Sequence, residues 1–329
     1  MNSSLDPRRI AAHHWAAGVL GGNCTIRPLA GDASFRRYFR ISHQGEPFVL
    51  MDAPPEKENV GPFLNIRRWL ETVGVRVPHL VAEDMPHGFL LLEDFGDVTW
   101  AVHLRDNPDP SCLLEDAIRQ LGLLQSHVPD FDLAIFDEMR MRNECDLYLD
   151  WYLPYVAAHK PSVVERRSFH DALAPILGDI AALPRVPVHL DYHSRNLMLP
   201  KDGLPLGVID FQDAVMGPVT YDLASLLYDC YQDYSEAMRR MWSLRYFELL
   251  AHKPGSFFTD SAAWHRALRL TALQRHIKAI GIFARLAYRD GKSQFLDEIP
   301  LTRKHLHDEM LVLSIKMDKH PLLLKEPAT

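Results

Sequence analysis

The clearest chemistry in the sequence lies in two runs: His189-Leu-Asp191-Tyr-His193-Ser-Arg195-Asn196-Leu-Met-Leu, and Leu206-Gly-Val-Ile-Asp210-Phe-Gln-Asp213. Phosphoryl transfer asks little covalent chemistry of a protein. It needs a positioned acceptor hydroxyl and metal to hold and neutralise the triphosphate. A carboxylate followed five positions later by an amide suits that task. Asp191 can accept the hydrogen bond of an acceptor hydroxyl, and Asn196 can offer a neutral oxygen to Mg²⁺. Asp210, ending an apolar strand, adds a charged oxygen of the hard type that Mg²⁺ prefers. His189, Asp191 and His193 also spell H-x-D-x-H, a pattern open to a metallohydrolase. That chemistry would call for further histidine ligands, and His189 fits a role bracing the loop by hydrogen bonds.

These residues need elements to position them. Residues 1–95 read as a mixed α/β segment. A helix over 8–20 leads into a strand and a turn at Gly31-Asp32, and strands follow at Tyr38–Ile41 and Phe48–Met51. A helix over 59–73, stopped by Gly74, precedes strands at Pro78–Ala82 and Phe89–Leu92. Residues 96–329 are mainly helical, with helical spacing over 112–127, 140–158, 163–182, 220–252, 262–290 and 300–316. One strand-rich insert runs from Val186 to Phe211. The predicted fold class is α+β: a small sheet-rich lobe followed by a larger, mainly helical one.

Bulk composition narrows the class further. The chain has 329 residues, a net charge of −7 and 47% hydrophobic residues, the profile of a folded domain rather than a nucleic-acid platform. Cys24, Cys112, Cys145 and Cys230 are widely spaced and read as free thiols. No run has the length of a secretory or membrane segment. The expectation is a cytoplasmic protein with a small-molecule partner and no nucleic acid or membrane; oligomeric state is not legible.

The D-x₄-N spacing, the strand-borne Asp210 and the run Gly217-Pro-Val-Thr-Tyr-Asp222-Leu-Ala together resemble the aminoglycoside phosphotransferase family, whose fold is similar to that of protein kinases. Leu190 stands where that family usually has Gly. The resemblance implies a protein-kinase-like two-lobed fold, with ATP and Mg²⁺ as cofactors. It makes Asp191 catalytic, Asn196 and Asp210 metal ligands, and His189 and Asp222 braces of the catalytic loop. It places Gly31, Ser34, Phe35 and Arg36 at the turn covering the phosphates, and Glu93 and Phe95 at the hinge that meets the adenine. Within the family, GDASFRRYFR, Met51-Asp-Ala-Pro-Pro-Glu-Lys57, Asp146-Leu-Tyr-Leu-Asp-Trp151 and Gln274-Arg-His-Ile-Lys-Ala-Ile-Gly281 resemble the anomeric amino-sugar kinases of peptidoglycan recycling. The implied reaction is phosphorylation of the C1 hydroxyl of N-acetylmuramate or N-acetylglucosamine. Other readings are a kinase of an aminoglycoside, choline or homoserine, and a nucleotide-binding pseudokinase.

The pseudokinase reading is motivated by Met51, which stands where kinases place a phosphate-holding Lys. Arg36, Arg37 and Lys57 are nearby cations, either substitutes for that Lys or ordinary surface charges. For the acceptor, Glu144, Trp151, Tyr152, His193 and Arg195 offer stacking and hydrogen bonds, although aromatics at helical spacing also pack cores. Arg275, Lys278, Arg285 and Arg289 fall on one face of the 262–290 helix. That face is either simply solvated or carries an arginine, Arg275, that meets a carboxylate of the acceptor.

Overall fold

A computed structural model describes residues 6–29, 35–107, 109–199, 203–251, 258 and 260–328. The chain divides into two compact units, one comprising residues 1–99 and 198–212, the other 100–197 and 213–329.

The first unit begins with α1 (Pro7–Leu20). Asp6 caps it by accepting the backbone N–H groups of Arg8 and Arg9, and Gly21 ends it in the left-handed region at φ 76°. Four strands, β1 (Thr25–Pro28), β2 (Arg37–His43), β3 (Glu46–Asp52) and, after α2 (Gly61–Thr72), β4 (Leu80–Asp84), precede β5 (Phe89–Glu93). They form one antiparallel sheet in the order β1-β2-β3-β5-β4. Alternation along β2 and β3 turns Phe39, Ile41 and Leu50 to one face. There they meet Phe89, Leu91 and the small side chains Ala12 and Ala16 of α1 in a buried cluster. Both β3 and β4 run further toward their C-terminal ends than the hydrophobic pattern indicates. Asp52 extends β3 because its fully buried carboxylate is paired with Arg8 and Arg37.

The second unit holds α3 (Trp100–Asp106), α4 (Ser111–Ser126) and α5 (Glu138–Leu147). The last runs without a break into a π-helix, Tyr148–Val156. The helix expected over 140–158 is thus two geometries, with Pro154 inside the wider coil. Next come α6 (Val163–Ala181), opened by a reciprocal Ser162–Glu165 capping box, and β6 (Arg185–Val188). The chain then returns to the first unit for residues 198–212, which include β8 (Gly207–Val208), paired with the short β7 (Leu197–Met198). Back in the second unit, β9 (Val215–Pro218) pairs antiparallel with β6.

The expected helix over 220–252 is broken into α7 (Tyr221–Leu227) and α8 (Glu236–Ala251). Tyr228, Cys230 and Tyr234 between them are buried, so the apolar pattern runs on while the backbone turns. Asp229 holds the turn, accepting the backbone N–H of Tyr231 at 2.9 Å. The 28-residue α9 (Ser261–Tyr288) is the axis of the unit, and α10 (Ile299–Val312) packs along it. Among the described residues, no helix is long and apolar enough to cross a membrane.

Candidate active site

The strand β6 delivers His189, Leu190 and Asp191 in succession. Asp222, in the first turn of α7, accepts the backbone N–H of His189 at 2.6 Å and of Leu190 at 3.0 Å. Leu190 has φ 76°, a left-handed backbone that costs a residue with a Cβ about 1–2 kcal/mol. The surrounding bonds over-determine it. Its N–H goes to Asp222, and its carbonyl accepts Arg275 Nη1 at 2.8 Å. The next N–H, of Asp191, donates to His189 Nδ1 at 3.3 Å.

Beyond Asp191 the chain closes a tight turn. The His193 N–H and the Asn196 Nδ2 both donate to the Asp191 carbonyl at 3.0 Å, and the Asn196 N–H donates to the His193 carbonyl at 2.9 Å. Ser194 N–H donates to Asp229 at 3.0 Å. The break between α7 and α8 therefore supplies a second buried carboxylate beneath the loop. Asp222 and Asp229, both about 1% exposed or less, grip it from its two ends.

The charges around Asp191 are set by α9. Burial pushes the Asp191 carboxyl up, but Lys278, His193, Arg275 and His189 outweigh it and bring the pKa down to about 2. Asp191 is therefore a carboxylate at any physiological pH. Asp222 shows the opposite balance. Burial takes its pKa up to about 6, against the pull of His189, Arg275 and the backbone N–H groups. Burial holds the His193 imidazole below its ordinary value, against Asp229 and Asp191, so it is neutral at pH 7. Lys278 is largely shielded from water, which disfavours its charge. Tyr221, Glu144 and Asp191 more than restore it. Its Nζ lies 3.1 Å from Glu144 and 3.4 Å from the Tyr221 hydroxyl.

On the acceptor side the predicted residues separate. Glu144 joins the site through Lys278 and Gln274. His193 packs edge-on to Tyr231, and Arg195 pairs with Glu298 while lying 3.6 Å over the Tyr231 ring. Trp151 is half-buried and stacks on Tyr155. Tyr152 is fully buried, and its hydroxyl donates to the Lys325 carbonyl at 2.8 Å while accepting from Arg303. No face of Tyr152 is left for an acceptor; the helical spacing there marks core. Arg275 is committed as well, to the Leu190 carbonyl and, at 4.8 Å, to the Tyr221 ring. Lys278 and Asp229 are the two residues whose roles sequence reasoning missed. Lys278 is visible only as part of a basic stripe. Asp229 shows no sequence signal beyond an acid inside an apolar run.

In the first unit, Gly31 and Ser34 lie outside the described residues. Phe35 is exposed, its N–H donating to Glu58 at 3.2 Å and its ring 4.8 Å from Lys57 Nζ. Arg36 lies 3.9 Å from Glu58, and Arg37 is paired with Asp6 and Asp52. Met51 is fully buried in β3. Glu93 takes Arg76 and the His79 N–H on its carboxylate, and Phe95 lies between Arg76 and Gly207, where a Cβ would stand 2.4 Å from its ring. Asp210, at φ 63°, accepts Gln212 Nε2 at 2.7 Å.

No group of three or more His, Cys, Asp or Glu side chains converges as a metal-ligand set among the described residues. Within the H-x-D-x-H pattern, His189 Nδ1 accepts the Asp191 N–H and the His193 N–H donates to the Asp191 carbonyl, so the pattern forms a braced loop. Mg²⁺ is commonly held by one or two protein oxygens together with phosphates and water, a donor set that Asn196 and Asp210 match in kind.

Comparison with known proteins shows the family and the fold. The model of the phosphotransferase enzyme family (APH) matches residues 25–258. An N-acetylmuramate/N-acetylglucosamine kinase of Pseudomonas putida is 38% identical over 277 residues, 84% of this chain and 80% of that protein. The protein of the same name from Pseudomonas aeruginosa is 38% identical over 288 residues, 85% and 82% of the two chains. Among solved structures, the streptomycin–ATP complex of APH(2″)-IIa superposes with a TM-score of 0.57 at 18% identity, covering 90% of this chain and 97% of that one. That likeness fixes the fold as protein-kinase-like, with a sheet-bearing N-terminal part and a helical C-terminal part.

Proposed function

The chain belongs to the phosphotransferase enzyme family (APH), and from that premise we propose that it transfers the γ-phosphoryl group of ATP to the anomeric hydroxyl of N-acetylmuramate or N-acetylglucosamine. The relatives of that name match along most of their length. The observation that carries the reading is the braced Asp191, ionised and ringed by cations on the α9 side. A carboxylate with a pKa of about 2 is a weak base, so its main work is orientation. It accepts the hydrogen bond of the acceptor hydroxyl and directs the oxygen lone pair at phosphorus. An anomeric hydroxyl is more acidic than an ordinary alcohol, which suits so weak a base. The C1 oxygen forms the new bond to phosphorus, the bond from that phosphorus to the β,γ-bridging oxygen breaks, and ADP departs. The hydroxyl proton passes to Asp191 and on to solvent.

Asn196 and Asp210 are the oxygen donors we assign to Mg²⁺, on donor type and sequence spacing. When bound, the ion neutralises charge on the triphosphate. Phe35, Arg36, Glu93 and Phe95 stay as proposed nucleotide-side residues. Glu144, Trp151, His193 and Arg195 stay as proposed acceptor-side residues. Asp222 and His189 hold the loop. Four free cysteines suit a reducing cytoplasm.

The test is product analysis. With Mg·ATP and a panel of free sugars, ³¹P NMR is expected to show a sugar 1-phosphate from either amino sugar, and Asp191→Asn is expected to lower kcat by about 10²–10⁴-fold with the fold intact. Phosphorylation of the methyl glycoside, whose C1 oxygen is blocked, would refute the anomeric assignment.

A further inference from the structure

The cations of the acceptor side can be accounted for one by one. Arg275 is bound to the Leu190 carbonyl, Lys278 to Glu144, Arg195 to Glu298 and Arg289 to Asp290. Arg285 differs. Among the described residues its guanidinium makes no side-chain hydrogen bond or ion pair, and its Nε is buried with no partner. Burial and the neighbouring Arg289 both work against its charge, and Asp290 opposes them only in part. A half-buried guanidinium with no direct ion pair and a buried, unbonded Nε is unfavourable, and an anionic group placed against it removes that cost.

Its position is specific. Arg285 follows Lys278 by seven residues on α9, about 10 Å along the axis and within roughly 20° of the same face. Gly281 between them lets α9 run against the backbone of Leu147 and Tyr148, so α9 and the π-helix share one edge. Along that edge, Trp151 stacks on Tyr155 (ring centroids 5.4 Å, 20°), and Tyr288 lies tilted against Tyr155 (5.2 Å, 30°). Tyr155 and Tyr288 are each about half exposed, and Tyr288 lies three residues after Arg285, the neighbouring position on a helix surface. The cation therefore sits beside an open aromatic ladder, an arrangement that takes an anionic group carried on a largely apolar or sugar-ring body.

We infer that Arg285 is the specificity residue that meets a carboxylate borne by the acceptor away from its reacting hydroxyl, with the Trp151–Tyr155–Tyr288 ladder flanking it. The inference rests on the amino-sugar reading above and sharpens it. N-acetylmuramate carries such a carboxylate on a side group, and N-acetylglucosamine has none. Arg275, the other candidate for this contact, donates Nη1 to the Leu190 carbonyl of the catalytic loop and lies over the Tyr221 ring.

The experiment compares kcat/KM for the two sugars in the wild type, Arg285→Met and Arg285→Lys. Arg285→Met keeps the apolar stem and is expected to lower the N-acetylmuramate to N-acetylglucosamine ratio of kcat/KM by about 10–100-fold, mainly through KM. Arg285→Lys is expected to recover part of the ratio, and N-acetylglucosamine turnover serves as the control for folding. A ratio unchanged in Arg285→Met, or changed equally by Trp151→Ala and Arg285→Met with no recovery in Arg285→Lys, would overturn the inference while the sugar-kinase reading stands. Turnover of neither sugar by the wild type would overturn the functional reading, and the inference with it.

Discussion

Leu190 occupies a left-handed backbone beside the proposed catalytic carboxylate, at a position where the family usually places Gly. Two terms compete there. Strain at φ 76° costs about 1–2 kcal/mol, whereas burying the leucine side chain, 3% exposed, contributes about 1.5–3 kcal/mol. Burial wins, so leucine is tolerated, with Asp222 and Arg275 fixing its N–H and carbonyl. Two truncations separate the terms, since both remove the side chain and only one keeps a Cβ. Leu190→Gly is expected to be more stable than Leu190→Ala by about 1 kcal/mol, the reverse of their order at an ordinary helical position. Urea unfolding of both variants measures it, and the usual order would show that the loop is not strained. The motif residues Asp191, Asn196 and Asp222 were legible because their signal is local. Lys278 and Asp229 were not, because each matters only through a partner far away in the chain: Glu144 for the one, the Ser194 backbone for the other.

At the scale of elements, the crossing of α9 against the π-helix controls the acceptor side. A Cβ at Gly281 would lie 2.4 Å from the Leu147 carbonyl carbon and the Tyr148 nitrogen, backbone atoms that cannot turn aside. Gly281→Ala is therefore expected to destabilise the protein by about 1–3 kcal/mol, read as a lower urea midpoint at unchanged m-value. Spreading the two helices also strains the Glu144–Lys278 pair one turn before the crossing. The helix itself was legible from its apolar stripe, Leu273, Ile277, Ile280 and Ala284, all buried. Its neighbours were less so. A π-helix keeps helical apolar spacing to within a fraction of a turn, so in Tyr148–Val156 only Pro154 signalled a departure from α. The break after Leu227 was hidden for a related reason: Tyr228, Cys230 and Tyr234 carry the buried pattern across a segment that is not helical.

At the scale of the whole molecule, the chain visits the first unit twice, for residues 1–99 and again for 198–212. The return segment fills defined positions: Phe211 lies 4.9 Å from Phe63, and the Val208 and Leu199 N–H groups donate to the Arg76 and Val98 carbonyls at 2.7 and 2.9 Å. Gly207 makes room for the Phe95 ring. A fragment of residues 1–99 is therefore expected to lack a cooperative urea transition, and joining residues 198–212 to it through a flexible linker is expected to restore one. Circular dichroism distinguishes the outcomes, and a cooperative transition in the bare fragment would show the return segment to be dispensable. The order of a sheet-rich part before a helical part was legible from periodicity, which is a property of short windows. The return of 198–212 was not, since it depends on contacts between residues more than a hundred positions apart.

That double visit also has a consequence for the chain as it is made. The sheet of the first unit emerges from the ribosome early, but the segment that covers Phe63 and Phe95 follows about a hundred residues later. At about 5–20 residues per second, the nascent sheet waits on the order of 5–20 s with those aromatic faces open. During that interval it exposes apolar surface of the kind that aggregates or that chaperones cover, and synthesis speed through residues 100–197 sets how long the exposure lasts.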